Sequence, residues 1–184
     1  MSLTFDDFSS RRCASVGPQR RILAGNEMSL IQTPEELADA IRNDPQRVAV
    51  AECLHRINRF GGQAKYCTVL QHSLSVYDRL AGTPVNVRLW GLLHDCHEIL
   101  TGDVQRLYQN SGLTHQQNRI DGILREVLGI TLSDDDAMTV TLADIAAGTY
   151  EFAQVTAGRR SYHHATPIID WAHHVRVLLS EVTR

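Results

Sequence analysis

The sequence predicts an all-α protein. Three observations carry that expectation: apolar residues recur at helical spacing along most of the chain, helix-start signatures precede several of those stretches, and no run shows the strict apolar-polar alternation of a half-buried strand. Residues 1–30 have mixed polar patterning with glycines, and predict a loosely ordered lead-in to a helical domain over 31–184. With acids at Asp6 and Asp7 and no apolar segment, that opening does not read as a secretory leader.

Thr33-Pro34-Glu35-Glu36 is a helix start, with threonine as N-cap, proline at the first helical position and glutamate three residues after the cap. The helix runs to Arg42 and breaks near Asn43-Asp44-Pro45. A second is expected over 47–58, where Val48, Ala51, Leu54, His55 and Ile57 fall near helical spacing before Gly61-Gly62. A third, over 68–80, turns Leu70, Leu74 and Val76 toward a core. After Gly82-Thr83-Pro84, a fourth is expected from Val85 to Leu100. Val87, Trp90, Leu92, Leu93, Ile99 and Leu100 cover much of its circumference, so it should be central and buried. Thr101-Gly102-Asp103 ends it. A fifth helix is expected over 114–128, and a sixth over 133–157, where Ser133 and an acidic first turn of Asp134, Asp135 and Asp136 suit the helix dipole. The last follows Pro167 and carries Ile168, Trp171, Val175 and Leu178.

A chain of 184 residues with 43% hydrophobic and 21% charged residues is ordinary globular material, long enough for one sizeable core. Net charge is −3, which offers no basic surface for a nucleic-acid polymer, although one local arginine can still bind a small anion. No run approaches the roughly 18 apolar residues that cross a membrane. The cysteines Cys13, Cys53, Cys67 and Cys96 are scattered, with no C-x-x-C pair for a zinc ribbon or redox motif. They read as reduced thiols of a cytoplasmic protein.

The chemistry begins on the fourth helix, with His94, Asp95 and Glu98 inside its most apolar stretch. A buried carboxylate without a partner shifts its pKa or destabilises the fold, so something should pair these groups. Adjacent His94 and Asp95 project about 100° apart on a helix, and one cation between those directions can bind both. Glu98, four residues after His94 and three after Asp95, lies on the same side. An arginine from elsewhere could equally satisfy Asp95. His72, inside Val69-Leu70-Gln71-His72-Ser73-Leu74, is a second interior histidine; taken alone it reads as a core residue. Asp144, between Leu142-Ala143 and Ile145-Ala146-Ala147, is an acid in apolar company; taken alone it reads as a helix-surface aspartate. Together, two imidazoles and two carboxylates suit a divalent transition ion with positions left open for water or substrate.

The ordered set His72, His94-Asp95 and Asp144 resembles the HD-domain phosphohydrolases. The similarity covers residues 48–155, and the stretch from Ile57-Asn58-Arg59-Phe60 to Asp103 is most similar to the bacterial 5'-deoxynucleotidase branch and its phage-like relatives. It is carried by Arg59-Phe60, Gln71-His72-Ser73, Leu93-His94-Asp95 with Glu98, Thr101-Gly102-Asp103, and Ala143-Asp144 with Glu151. The HD pair alone is a weak signal; the ordered set is more specific.

The resemblance implies an HD-type helical bundle with one divalent ion (Mn, Co, Zn, Fe or Mg) held by His72, His94, Asp95 and Asp144. It further implies a phosphate-binding Arg59 with Phe60 as its aromatic neighbour, Glu98 as the acid that handles the attacking water, and Asp103 as an acid near the sugar and the leaving oxygen. A bound ion brings the pKa of its water to about 7, which makes attack at phosphorus accessible at neutral pH. The expected reaction is phosphate release from a small nucleotide, foremost a 5'-deoxynucleoside monophosphate. The interval from Arg59 to His72 is shorter than in the deoxynucleotidases, which implies a different substrate pocket.

From the residues alone, Arg59 reads equally as a solvated helix-end arginine, and Phe60 more readily as core than as a stacking platform. Glu151 can be read as a surface acid and is assigned no role, and His55 and His97 read as structural. Two-metal HD proteins place extra histidines between the HD pair and the last aspartate. Here that interval holds only His97 and His115, while His163, His164, His173 and His174 follow Asp144, so one metal is expected and a two-iron oxygen-using enzyme is disfavoured. The remaining alternatives are a (p)ppGpp or other nucleotide pyrophosphohydrolase on the same fold, and a non-catalytic nucleotide-binding domain. A second copy of the chain is the one macromolecular partner left open.

Overall fold

The structure is a computed structural model that describes residues 30–64, 66–105, 109–159 and 164–182. Its regular elements are all helices: α1 (Pro34–Arg42), α2 (Asp44–Arg56), α3 (Val69–Arg79), α4 (Val85–Leu93), α5 (Glu98–Thr101), α6 (Ser111–Leu128), α7 (Asp134–Thr156) and α8 (Pro167–Val182). The one strand-like pairing among these residues is an isolated antiparallel bridge between Asn58 and Thr68. The expected lead-in lies outside the described residues apart from Leu30, as do Cys13 and His163.

The start of α1 is the capping box its sequence announces. The Thr33 hydroxyl accepts from the Glu36 N–H (3.1 Å), and the Glu36 carboxylate accepts from the Thr33 N–H (3.3 Å). Helix α2 begins three residues earlier than expected, because Pro45 is at home in a first helical turn. Its inward face also differs from expectation. Val48 is 41% exposed, whereas Arg47, Val50, Ala51 and Leu54 are buried. The guanidinium of Arg47 donates to the Ile41 and Arg42 carbonyls at the end of α1 and pairs with Asp44, so a charged residue takes a core position by satisfying groups that a helix end leaves unpaired.

Helix α4 is central, in contact with α3, α7 and α8. Val87, Leu89, Leu92 and Leu93 are almost entirely buried in one core with Leu70, Leu74, Trp171 and Val175. Gly91 sits where α4 meets the end of α3: a Cβ there would lie 2.3 Å from Cδ1 of the buried Leu80, so no larger residue fits without displacing it. Helix α7 is capped by Ser133 and turns Val140, Ala143, Ala147 and Glu151 inward. Small residues at two of those positions let it approach α3 and α4 closely. No helix among the described residues is long and apolar enough to cross a membrane.

The fourth helix does not run to Leu100. It stops at Leu93, and residues 94–97 form a turn that leads into the single turn of α5. Over this stretch the hydrogen bonds shorten from four residues to three: Cys96 N–H to Leu93 C=O (2.9 Å), Glu98 to Asp95 (3.0 Å), Ile99 to Cys96 (3.2 Å) and Leu100 to His97 (2.9 Å). The Leu92 carbonyl is met from α8 by the indole N–H of Trp171 (3.0 Å). The apolar period continues through Ile99 and Leu100, which is why sequence spacing alone extends the helix past this break.

Candidate metal centre

Three segments converge at the break. His72 comes from α3, His94 and Asp95 from the tightened turn after α4, and Asp144 from α7. His72 is fully buried, and Asp144 is half-buried rather than on the outer face of its helix. In a three-residue turn, side chains at i and i+3 eclipse, so Glu98 stands over Asp95 and both line one cavity.

The imidazole–carboxylate distances run from 2.9 to 3.9 Å, and Asp144 stands outside the set of three whose ligand atoms cluster mutually. His72 Nε2 lies 2.9 Å from Asp144 Oδ1 and 3.6 Å from Asp95 Oδ2, while His94 Nε2 lies 3.3 Å from Asp95 Oδ1 and 3.9 Å from Asp144 Oδ1. Ligands at about 2.0–2.2 Å from one ion are separated by roughly 3 Å at right angles and about 3.5 Å at tetrahedral angles. The ligand atoms of His72, His94 and Asp95 lie within 4.8 Å of one another. His94 Nε2 is buried and, despite its nearness to Asp95, makes no hydrogen bond.

The far side of each imidazole is occupied. His72 Nδ1 is 3.0 Å from both oxygens of Glu151, and His94 Nδ1 is 3.0 Å from the Gly91 carbonyl. A histidine that donates Nδ1–H to an acceptor presents the lone pair of Nε2, as metal-bound histidines characteristically do. Glu151 is therefore not the surface acid read from the sequence: it is entirely buried against His72. Ala143, Ala147 and Glu151 lie four residues apart on one face, but α7 is apolar on nearly all sides, so that spacing did not single Glu151 out.

Charge around the site is unbalanced. Asp95, Glu98, Asp103, Asp144 and Glu151 face one guanidinium, that of Arg59. Its Nη1 lies 3.2 Å from Asp95 Oδ2 and its Nε 3.4 Å from Glu151 Oε2, with the side chain only 15% exposed, so it is no solvated helix-end arginine. Burial would lower its pKa, but Asp95, Glu151 and Glu98 raise it above the ordinary arginine value. For His94, burial favours the neutral ring, yet Asp95 and then Asp144 lift its pKa to about 9. Burial also opposes ionisation of Asp95, but His94, His72 and Arg59 hold its carboxyl well below the usual range. The hydrogen bond from His72 and the charge of His94 likewise outweigh burial at Asp144, which is lowered. Glu98 has no such help: burial, Asp95 and Asp103 push it up to about 10, and its Oε2 is buried without a hydrogen-bond partner. Two imidazole nitrogens and two carboxylates in surplus negative charge fit a divalent transition ion.

Arg59 and Phe60 are positioned by the loop between α2 and α3. Its ends are pinned by Arg59 N–H to Cys67 C=O (2.7 Å) and Val69 N–H to Ile57 C=O (3.0 Å). At its tip Phe60, Gly61 and Gly62 are all left-handed, with φ of 59°, 63° and 79°. Asp103 closes the loop from across the cavity, its Oδ2 accepting from the Gly61 N–H (3.2 Å). The cavity, about 510 Å³, is lined by the charged residues Arg59, Asp95, Glu98, Asp103 and Asp144 and by the apolar Phe60, Ile145 and Phe152, among others.

The other histidines engage elsewhere. His97 Nδ1 pairs with Asp121 of α6 (2.9 Å), although Asp95, His97 and Glu98 also bring ligand atoms within 4.8 Å. His55 Nδ1 is 3.4 Å from the Thr68 hydroxyl, His115 is exposed, and His164 bridges Asp78 and Asp170. No disulfide joins Cys53, Cys67 or Cys96. Neither a protein-family model nor a curated protein matches the chain.

Proposed function

We propose that this protein is a metal-dependent phosphohydrolase of the HD-domain type, acting in the cytoplasm on a small nucleotide, foremost a 5'-deoxynucleoside monophosphate. One observation carries the reading. His72, His94, Asp95 and Asp144 lie close together, with both imidazoles tied on their far side, and Asp95 and Asp144 reach the wall of a cavity that Arg59 and Glu98 also line.

These four residues would hold one divalent ion, which lowers the pKa of water and offsets charge on the phosphoryl oxygens. Arg59 is already held in place by Asp95 and Glu151, and its planar fork takes phosphate oxygens without reorganising. Glu98 orients the attacking water and accepts its proton. Burial first, and then Asp95 and Asp103, favour its protonated form; a cation held at Asp95 would offset the part of that preference that comes from charge. Water oxygen bonds to phosphorus as the ester P–O bond breaks, and the expelled sugar oxygen, beside Asp103, takes up the proton. The products are a nucleoside and orthophosphate.

The test is phosphate release from a panel of nucleotides by purified, metal-loaded protein. Release from dAMP or dCMP, abolished by EDTA and restored by Mn or Co, is expected. No release from any substrate overturns the reading, and cleavage confined to pyrophosphate bonds replaces it with a pyrophosphohydrolase.

A further inference from the structure

The cavity beside the proposed metal centre is lined by two unlike sets of side chains. One set is charged and suits phosphate; the other is apolar and offers a phosphate no hydrogen bond. The apolar side is built from Phe60, Ile145 and Phe152, of which Phe152 is 59% and Ile145 47% exposed. A phenyl ring one residue after the fully buried Glu151 is thus held in solvent at the mouth of the site rather than packed into the core.

Phe60 is held there at a conformational cost. Its φ of 59° is left-handed, which a bulky residue rarely adopts. The backbone before it is pinned to Cys67, and the backbone after it to Asp103. Strain of this kind persists where the surrounding structure fixes a side chain for use. The outcome is a Phe60 ring whose centroid lies 6.0 Å from that of Phe152, tilted by 57°, and 5.8 Å from the guanidinium carbon of Arg59. Tilted rings do not cover one another's faces, so a planar group can stack on the face of Phe152 and meet Phe60 at its edge, near the Arg59 guanidinium.

The geometry points to Phe152, with Phe60, as the wall on which the aromatic base of the phosphate ester stacks, so that Phe152 sets a preference for nucleoside phosphates over sugar phosphates. This rests on the phosphohydrolase reading for the phosphate end of the ligand. Met138 and Leu142 continue the exposed apolar face of α7 away from the cavity, and provide a control surface on the same helix.

The test is calorimetric binding of dAMP and of 2-deoxyribose 5-phosphate to manganese-loaded Glu98→Gln protein, in which turnover is removed. Stacking of one base on an aromatic side chain contributes about 5- to 150-fold in affinity, so dAMP should bind at least about fivefold tighter than the sugar phosphate. Adding Phe152→Ala should erase most of that ratio, Phe152→Trp should keep it, and Met138→Ala should leave it unchanged. Equal affinities, undetectable dAMP binding, or a Phe152→Ala loss shared equally by both ligands overturns the inference. Phosphate release by the unmutated protein is scored separately: a base preference without hydrolysis sinks the phosphohydrolase and leaves the stacking wall standing.

Discussion

Both carboxylate oxygens of Glu151 lie 3.0 Å from Nδ1 of His72, in a part of the protein where neither side chain reaches solvent. The same carboxylate is 3.4 Å from Nε of Arg59, so one buried acid orients an imidazole and a guanidinium together. Partners of this kind set ligand orientation and basicity, and their loss costs about 10–100-fold in metal affinity. Glu151→Gln keeps the shape but removes the charge, and is expected to weaken metal binding within that range while the protein stays folded. A metal titration against a fluorescent chelator reads it. Unchanged affinity in the folded variant would show that Glu151 is a packing residue only.

Asp95 and Glu98 stand one turn apart over the same cavity, yet they carry different expectations. Asp95 is near both imidazoles and Arg59, so Asp95→Asn should lose metal and activity together. No ion pair joins Glu98 to His72 or His94, and its Oε2 is buried without a hydrogen-bond partner. Glu98→Ala should therefore keep the metal and lower kcat by about 10²–10⁴, the usual contribution of a positioned acid or base. Metal content by mass spectrometry beside initial rates decides it. Equal metal loss in both variants would refute the division of roles.

The turn that carries His94 and Asp95 depends on a residue far away in sequence. Trp171 of α8 is fully buried and gives its indole N–H to the Leu92 carbonyl just before the helix breaks. Trp171→Phe preserves most of the ring area but strands that carbonyl, at a cost of about 1–3 kcal/mol. For a chain of this length each kcal/mol lowers Tm by about 2–4 °C. Weaker metal binding should accompany the loss, because the turn beyond Leu93 is less well held. A lower Tm with metal affinity intact would show that the indole supports the core but not the turn.

Much of this arrangement was legible in the sequence because its cues are local. Thr33, Ser133 and Pro167 mark helix starts through short-range capping and backbone preferences, and the helices begin there. His72, His94, Asp95 and Asp144 stand out as polar groups in apolar stretches, and the fold brings them together. What spacing could not show is decided by tertiary contacts. The break after Leu93 is set by the three-residue turn and by Trp171, while the apolar period runs on. Arg47 enters the core only because the end of α1 offers it carbonyls. Helix α7 is apolar on nearly all sides, so periodicity could not tell that Ala143, Ala147 and Glu151 face inward while Leu142, Ile145 and Phe152 meet water.

Helix α7 also permits stability and site chemistry to be separated. At its start the Asp136 carboxylate accepts from the Ser133 hydroxyl (2.8 Å) and N–H (3.1 Å), and the Ser133 oxygen accepts from the Asp136 N–H (3.1 Å). Those bonds hold the Asp136 carboxyl below the usual aspartate value. A carboxyl lowered on folding stabilises the protein at pH values above its unfolded pKa of about 3.9, and that contribution is lost as pH falls through the folded value. Replacing the cap by Ser133→Ala should cost about 1 kcal/mol at neutral pH. The gap from the unmutated protein should narrow as the medium is acidified below the aspartate range, since Asp136 then no longer favours the capped form. Asp144 and Glu151 lie more than two turns beyond the cap, so metal affinity at neutral pH should be unchanged in the same variant. Denaturant melts across pH, with a metal titration at neutral pH, check both halves; a stability gap independent of pH would overturn the role given to Asp136.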